Sequence, residues 1–269
     1  MRHVLSPDPA CASRKKEQAE EKAAAASATL RRDAFVRLDP VWPEEGGEGE
    51  GQAKGEGQAK GEWRAFADSW NDLPLDDYMA DGGRYRRRRY AAFHWHDGAL
   101  RRLPHQPHYQ DRHYNRLNGG IERWFAPMDE QIAASPCLGG IIGRAVALFT
   151  GDGLAADAGW QVEVHQFRIV AEPDNPGLPT PEGLHADGRD WVLIAFVGGR
   201  NITGGETRIT DRQGRERARL TLGRAGEALL LDDRAVLHET SQIRASQQPG
   251  QPKAGGWRDM LVVTFARPA

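Results

Sequence analysis

Three residues in the C-terminal half of the chain have the types and spacing of a metal site. His185 and Asp187 lie two positions apart in the segment PEGLHADG, and His238 lies in the later segment VLHET. Residues two apart in an extended chain point to the same face, so both side chains can reach one ion. Two imidazoles and one carboxylate form the ligand set of non-haem Fe(II) sites that keep coordination positions open. The spacing therefore indicates a candidate metal triad.

The same three residues also fit a purely structural role. A His-x-Asp pair arises by chance in many sequences, and this chain contains nine histidines. In the structural interpretation, His185 and Asp187 form a turn in which the aspartate caps backbone amides, and His238 is a core histidine with satisfied hydrogen bonds. The spacing alone leaves both interpretations open.

The elements that must position these residues are short strands. The segment WQVEVHQFRIV alternates in polarity, and WVLIAFVGG is a continuous apolar run. Strands are expected at 160–170, 191–199, 205–211, 216–223, 226–233, 235–243 and 258–266. Many short strands separated by Gly, Asp and Asn turns predict an antiparallel jelly roll or barrel.

Helices are expected before these strands. The candidate segments are 13–32, 63–81 with a break at Pro74, 121–135, and 136–150. Ser135 suits the N-cap of the last helix, and Pro136 suits its first position. The predicted fold class is therefore α+β, with N-terminal helices that buttress a β-sandwich.

The chain length of 269 residues fits one elaborated domain, expected over 36–269. Residues 1–35 are expected to form a partly disordered N-terminal tail and helix. The hexapeptide GEGQAK occurs twice in tandem within 44–62. Glycine and charge dominate this stretch, so it is expected to be a low-complexity surface insertion without packed structure.

The composition excludes several classes of protein. No run approaches the ~18–20 apolar residues of a membrane span, and the N-terminus lacks the apolar core of a secretory signal. Two cysteines exclude a disulfide scaffold and favour the cytoplasm. A net charge of −2 predicts no nucleic-acid partner. The run at 86–89 is interpreted as a strand whose arginines lie over a surface rather than as a phosphate patch.

A resemblance to a known family is carried by several segments. They are VEVHQFRI, PEGLHADGRDWV, NITGGET, HETSQI and WRDMLVVTFA, and, in the N-terminal half, LDDYMADGGRYRRRRYAAF, LPHQPHYQ and YNRLNGGIERWF. Together they resemble the 2-oxoglutarate/Fe(II) dioxygenases that hydroxylate free L-amino acids, the bacterial isoleucine hydroxylase group. The resemblance covers residues 63–269 and excludes the N-terminal tail and the GEGQAK insertion.

This resemblance implies a fold, cofactors and ligands. The fold is a double-stranded β-helix of cupin type, in agreement with the strand count. The cofactors are Fe(II), 2-oxoglutarate and O2, with iron held by His185, Asp187 and His238. The far carboxylate of 2-oxoglutarate needs a buried cation, and Arg258, at the start of the last strand, matches the position of the family's arginine. Arg244 is the competing candidate, expected on a loop.

The expected substrate residues lie on the first predicted strand of the C-terminal half and on a turn. Gln166 and Arg168 share a face with valines; Arg168 is expected to bind a substrate carboxylate, and Gln166 the substrate or 2-oxoglutarate. The alternative is an edge strand with that face in water. Glu206 is the candidate for the substrate ammonium, and Asn201 is expected to line the same mouth. The segment HQPHYQDRHY, with three histidines, is expected to form a loop that closes over the site rather than a second metal site.

The leading interpretation is an oxidoreductase that hydroxylates an unactivated side-chain carbon of a free L-amino acid and converts 2-oxoglutarate to succinate. An aliphatic or small polar amino acid is favoured. The alternatives are a hydroxylase of a carrier-bound or peptidyl amino acid, a hydroxylase of a protein or nucleic acid, and a non-catalytic cupin-like metal-binding module. The expected partner is the small-molecule substrate, with no membrane or nucleic acid, and the oligomeric state stays open.

Overall fold

The structure is a computed structural model that describes residues 9–40, 54–151, 159–247 and 253–268. Its helices are α1 (Pro9–Asp33), α2 (Lys54–Asp68), α3 (Glu130–Ala133) and α4 (Pro136–Thr150), and a 3-10 turn at Ser69–Asp72 follows α2. The helices all precede the strand Trp160–Ala171, as the sequence predicts, but the helix expected over 63–81 ends with the 3-10 turn at Asp72, and 73–81 is not helical.

The strands form mainly antiparallel sheets. They are β1 (Phe35–Leu38), β2 (Arg86–His96), β3 (Ala99–Arg102), β4 (His108–Tyr109), β5 (Glu122–Arg123), β6 (Trp160–Ala171), β7 (Trp191–Arg200), β8 (Ile202–Gly204), β9 (Thr207–Asp211), β10 (Glu216–Leu220), β11 (Ala228–Asp232), β12 (Val236–Thr240), β13 (Ile243–Ala245) and β14 (Gly256–Ala266). A seven-stranded sheet has the order β1-β11-β7-β14-β6-β2-β3, and a three-stranded sheet has the order β10-β9-β12. All seven strands predicted from the sequence are present, and the predicted jelly-roll α+β fold is confirmed.

Strand β7 is covered on both sides, which explains its continuous apolar sequence. Leu193 and Ala195 belong to the apolar cluster that the helices share with the large sheet. Val192, Ile194 and Phe196 belong to a second cluster, which includes residues of the three-stranded sheet. The large sheet is therefore a middle layer between helices on one side and the smaller sheet on the other.

Helices α1, α2 and α4 cover the outer face of the large sheet. Leu30 of α1, Phe66 of α2 and Ile142 of α4 lie in one buried cluster with Val164 of β6 and Val263 of β14. Alternate residues of a strand point to opposite faces. The other face of β6 and β14 is thus left to line the space between the sheets.

Helix α4 begins as predicted and belongs to the core. The Ser135 hydroxyl accepts a hydrogen bond from the Leu138 N–H, and Pro136 occupies the first turn. By length and composition alone, the helical stretch Glu130–Thr150 would suffice to cross a membrane. Its apolar residues pack instead against the large sheet, as in the core helix of a folded domain.

The helix predicted over 121–135 is wrong for most of its length. The chain there is extended, and β5 and the four-residue α3 are the regular elements within it. Tyr90 of β2 takes the backbone hydrogen bonds: its N–H donates to the Ala126 carbonyl, and its carbonyl accepts from the Met128 N–H. Pro127 between these two residues lacks the N–H that a continuous helix requires.

The surface insertion predicted at 44–62 needs correction at its C-terminal end. Helix α2 begins at Lys54, so the second GEGQAK copy lies in a helix, whereas 44–53 lies outside the described residues. Ala, Lys and Glu favour helix, and the buried residues Trp63 and Phe66 anchor the continuation of α2 to the core.

The helix expected near the N-terminus is present as α1 and is less solvated than predicted. Its last turns bury Leu30 and Ser27, and the Ser27 hydroxyl donates to the Leu148 carbonyl of α4 at 2.8 Å. Residues 1–8 of the predicted tail lie outside the described residues.

Candidate active site

The metal triad is assembled where β12 meets the segment before β7. His185 and His238 form an antiparallel bridge in which each backbone N–H donates to the carbonyl of the other, with N···O distances of 3.0 and 2.9 Å. Their imidazole centroids are 4.5 Å apart. With Asp187, they bring three ligand atoms within 4.8 Å of one another. The metal interpretation of the sequence is therefore confirmed over the structural alternative.

Hydrogen bonds determine which atoms face the metal position. The Nδ1 of His185 lies 2.9 Å from the Gly183 carbonyl oxygen, which can only accept, so Nδ1 carries the proton and Nε2 is left to bind metal. This Nε2 is 3.9 Å from the Asp187 Oδ1, and the His238 Nε2 is 3.7 Å from the Asp187 Oδ2. The donor set and its convergence fit a ferrous ion with three protein ligands.

The charges around the triad act differently on its two histidines. Burial opposes the charged form of His185, but the Asp187 and Glu182 carboxylates outweigh burial and raise its pKa. Burial and the neighbouring His185 lower the pKa of His238 to about 3. A neutral His238 keeps its lone pair for a metal ion at all physiological pH values.

Asp233 holds the segment that carries Asp187. One carboxylate oxygen of Asp233 accepts from the Asp187 N–H and the other from the Arg189 N–H, both at 2.9 Å. Burial, followed by the charge of Asp187, raises the pKa of Asp233. These two hydrogen bonds fix the backbone conformation at Asp187 and therefore the direction of its side chain.

Gln110 connects Asp187 to the segment between β4 and β5. Its side-chain N–H group donates to the Asp187 carbonyl at 3.1 Å and lies 3.4 Å from the Asp187 Oδ1. Its side-chain oxygen accepts from Asn115 and from Arg123. Gln110 thus orients a metal ligand from outside the coordination shell. The sequence does not single it out, because it lies far from Asp187 along the chain.

The Gln110→Ala variant should bind Fe(II) about 10- to 100-fold more weakly, the usual effect of losing a partner of a metal ligand. The fold should persist, because Gln110 lies on the short β4–β5 segment rather than in the main sheet. Anaerobic titration with Fe(II) would measure this change. Gln161→Ala, an exposed position on β6, is the matched control, and equal iron affinity in the two variants would contradict the assigned role.

The triad opens into a cavity between the two sheets. Besides the triad, the lining comes from β2, β6, β14, the β4–β5 segment and the loop before His185; it includes Arg86, Arg88, His108, Gln110, Arg123, Glu163, His165, Phe167, Ile169, Glu182, Arg189, Arg258 and Met260. Arg258 thus lies where the sequence places it, in the same cavity as the triad. Arg244, the competing candidate, lies exposed on β13.

Gln166 and Arg168 do not reach this cavity, which corrects the predicted face of β6. Gln166 donates to the Ser69 hydroxyl at 2.7 Å, beside the 3-10 turn. Arg168 forms a two-point ion pair with Asp259, with both N···O distances 2.7 Å, and lies over the Trp257 ring. The helices cover the face of β6 that carries the valines. Gln166 and Arg168 lie on this face and therefore point toward the helix layer rather than into the cavity.

Glu206 and Asn201 also lie away from the cavity. The Glu206 carboxylate pairs with Arg219 at 3.0 Å on the exposed surface. Asn201 has a positive φ of 54°, and its amide donates to the Ala254 and Gly255 carbonyls, which makes it a turn residue. The prediction that these two side chains line the site is therefore wrong.

The cavity instead contains charged residues that the sequence prediction assigned elsewhere. Arg86 and Arg88 of β2 were expected to lie over a surface, yet they are buried and line the cavity with Arg123 and Glu182. The strand alternation was a usable signal, because positions 86 and 88 share a face with the fully buried Tyr90.

A second group of possible ligand atoms, from His108, Glu163 and His165, lies in the same cavity. Glu163 is engaged by Arg189 at 2.6 Å and by the Tyr90 hydroxyl at 2.8 Å. These contacts satisfy the carboxylate without a metal ion, and the guanidinium groups nearby repel a cation. His108 lines the cavity, in keeping with the expectation that its segment covers the site.

The comparison with protein families places this fold and site in one class. Residues 67–264 match the model of the 2OG-Fe dioxygenases, and the chain belongs to that family. It is accordingly a 2-oxoglutarate-dependent dioxygenase that uses Fe(II), 2-oxoglutarate and O2. A search of curated proteins found no match.

Solved structures share this fold. A bsmA homolog from Methylobium petroleophilum PM1 is 32% identical over 91% of this chain and 93% of that chain, with a TM-score of 0.75. IDO from Bacillus thuringiensis has a TM-score of 0.72 at 16% identity, over 92% of this chain and 100% of its own. The Fe(II)/α-ketoglutarate-dependent dioxygenase TqaL has a TM-score of 0.66 at 16% identity, over 99% and 92%. The last two similarities concern the fold alone.

Proposed function

We propose that this dioxygenase hydroxylates an unactivated side-chain carbon of a free L-amino acid while 2-oxoglutarate is decarboxylated to succinate. The observation that carries the proposal is one cavity that joins the triad to charged groups of both signs, each with a buried nitrogen or oxygen that has no hydrogen-bond partner among the described residues. Arg258 lies in it, as do Arg123 and the carboxylate of Glu182. A small molecule with a carboxylate and an ammonium matches these charges.

Arg258 is the proposed anchor for the far carboxylate of 2-oxoglutarate. It is 2% exposed, and its Nε and Nη2 have no hydrogen-bond partner among the residues that the structure describes. Its guanidinium stacks over the Phe196 ring at 4.9 Å, which fixes its plane. Burial without a paired carboxylate lowers the pKa of Arg258 to about 10. A bound carboxylate would supply the missing acceptors in the two-point geometry that guanidinium favours.

The residues of this chain have distinct tasks in the proposed reaction. His185, Asp187 and His238 would hold Fe(II), which, with 2-oxoglutarate and O2, supplies the oxidation of a C–H bond. Arg258 would orient 2-oxoglutarate toward that position, and the buried walls of the cavity exclude water. Phe167, on the cavity face of β6, offers apolar surface for the side chain of the substrate.

The distribution of charge within the enclosed cavity favours a small substrate over a macromolecule. Its charged groups are largely buried, so a ligand must enter the space between the sheets to reach them. A carrier-bound or peptidyl amino acid is the competing candidate, since its side chain alone could enter. The cytoplasmic location expected from the cysteine content remains a prediction.

Succinate formation tests the proposal. The iron-loaded protein is expected to form succinate from 2-oxoglutarate slowly alone and faster with particular members of a panel of free L-amino acids. Mass spectrometry should show those amino acids gaining one oxygen atom, with one succinate formed per hydroxylation. If only carrier-bound or peptidyl amino acids stimulate succinate formation, the free substrate is wrong and the dioxygenase activity stands.

A further inference from the structure

Three arginines form a buried cluster in the cavity wall. Arg86 and Arg88 lie on adjacent same-face positions of β2, and Arg123 lies on β5. They are 6%, 4% and 2% exposed, so each is more than nine-tenths buried. All three line the cavity that holds the triad. Such burial of like charges is unfavourable unless anions compensate it.

The protein itself compensates only part of this charge. Asp76 accepts from the Arg86 Nε at 2.7 Å and lies 3.4 Å from the Arg88 Nη1. Arg123 donates only to a neutral amide oxygen in the described contacts, that of Gln110. In the described part of the chain, three guanidinium nitrogens of this cluster are buried without a partner: the Arg86 Nη2, the Arg88 Nε and the Arg123 Nε. Burial, followed by the charge of Arg86, lowers the pKa of both Arg88 and Arg123.

Arg88 is held rigidly in this cluster. Its guanidinium carbon lies 3.4 Å from the Phe125 ring centroid and 4.5 Å from that of Phe167. Its Nη2 lies 2.7 Å from the His165 Nδ1, and because a guanidinium can only donate, that nitrogen must accept. Burial, together with Arg88, lowers the pKa of His165 well below its usual range, so the neutral ring carries its proton on Nε2. The three arginines therefore give their part of the cavity wall an excess of hydrogen-bond donors.

A carboxylate acceptor lies between this cluster and the triad. The Glu182 Oε1 is 3.8 Å from the His185 Nε2, and its Oε2 is buried with no hydrogen-bond partner in residues 9–40, 54–151, 159–247 and 253–268. Glu182 lines the same cavity as Arg86, Arg88 and Arg123. Glu182 is thus available for a cationic group of a ligand that lies beside the iron position.

We propose that Arg86, Arg88 and Arg123 bind the free carboxylate of the substrate and that Glu182 binds its ammonium group. This inference rests on the proposed function, because it assigns the substrate site of the same cavity. The site would distinguish a free amino acid from a carrier-bound or peptidyl one. A thioester or amide carbonyl carries no full negative charge and would leave the buried guanidiniums uncompensated.

The cluster is separate from the 2-oxoglutarate anchor. Arg258 lies on β14 over the Phe196 ring, whereas the cluster lies on β2 and β5 around Phe125. Substitutions in the two places should therefore affect different ligands. Variants of Arg258 should change the requirement for 2-oxoglutarate, and variants of Arg86 or Arg123 should change the requirement for the amino acid.

The test compares amino acids with their carboxamides in the iron-loaded protein. Free L-amino acids, their carboxamides and the corresponding decarboxylated amines are assayed by succinate formation and by their effect on the anaerobic Fe(II)–2-oxoglutarate absorption band. The wild-type protein should prefer acid over carboxamide by about 100-fold in kcat/KM. Arg86→Gln and Arg123→Gln should each remove about 10-fold or more of that preference. Arg87→Gln, at an exposed position of the same strand, should retain it.

The acid-to-carboxamide ratio separates recognition from a folding or iron defect, since such a defect lowers both rates together. An unchanged ratio in Arg86→Gln and Arg123→Gln would overturn the proposal, as would a preference for carboxamides, amines or thioesters. So would a panel in which no carboxylate perturbs the absorption band. Glu182→Gln should weaken binding of amino acids more than of the matching carboxylates that lack the amino group. Absence of succinate formation under every condition would instead count against the proposed function.

Discussion

The His238→Ala variant should retain no iron after desalting and should show no detectable succinate formation. The substitution removes one of three protein ligands, and the remaining pair, His185 and Asp187, cannot complete the facial arrangement. Alanine preserves the backbone bridge between positions 185 and 238, because that bridge uses only N–H and carbonyl groups. The loss should therefore be specific to the metal.

Stability should change much less than activity. The His238 Nδ1 has no hydrogen-bond partner within the described residues, and the ring is buried, so its removal from the metal-free protein should change the free energy of unfolding by about 1 kcal/mol. His185→Ala and Asp187→Ala should show the same loss of iron. Colorimetric iron analysis and thermal unfolding measure the two quantities. His113→Ala, at an exposed position, is the control, and iron retention by His238→Ala would disprove the triad.

The sequence predicted the strands well because alternation and turn residues are local signals. The two-residue spacing and a later histidine suggested the triad, and the family resemblance selected the metal interpretation; the fold brings the residues together because the segment of His185 pairs with His238 of β12. The 2-oxoglutarate arginine was placed from family resemblance, and the cavity indeed contains Arg258. These predictions needed no knowledge of which layer covers which face.

The substrate residues could not be placed in the same way. Both faces of β6 are largely buried, so its sequence does not reveal which one the helices cover. Val162 and Val164 pack on the helices, and His165 and Phe167 face the cavity instead. Choosing between two buried faces requires the tertiary packing of α2 and α4, which is not a local property.

The burial of Arg86 and Arg88 could not be predicted for a different reason. Long cationic side chains usually lie over a surface in water, so the sequence predicts a surface position for the arginines at 86–89. Asp76 and the rings of Phe125 and Phe167 make burial possible here, and they come from separate segments. The charged cavity wall therefore depends on contacts between segments that are distant in sequence, and local sequence patterns do not reveal such contacts.

The Arg258→Gln variant should require far more 2-oxoglutarate while still binding Fe(II). Two-point hydrogen bonds between a guanidinium and a carboxylate contribute about 1.5–3 kcal/mol each in a buried site, so KM for 2-oxoglutarate should rise at least about 100-fold. Arg258→Lys should be impaired as well, because an ammonium cannot reproduce the planar fork. Succinate assays and anaerobic titration of the Fe(II)–2-oxoglutarate absorption band would measure the change.

A second readout follows from the burial of Arg258 without a carboxylate partner. In the absence of ligand, replacing an uncompensated buried cation by a neutral amide should leave the protein as stable as the wild type or stabilise it by about 1 kcal/mol. Adding 2-oxoglutarate should then raise the unfolding temperature of the wild type and leave that of Arg258→Gln almost unchanged. Arg244→Gln, at an exposed position on β13, is the matched control. If Arg244→Gln abolishes the thermal response and Arg258→Gln preserves it, the anchor lies on β13 rather than on β14.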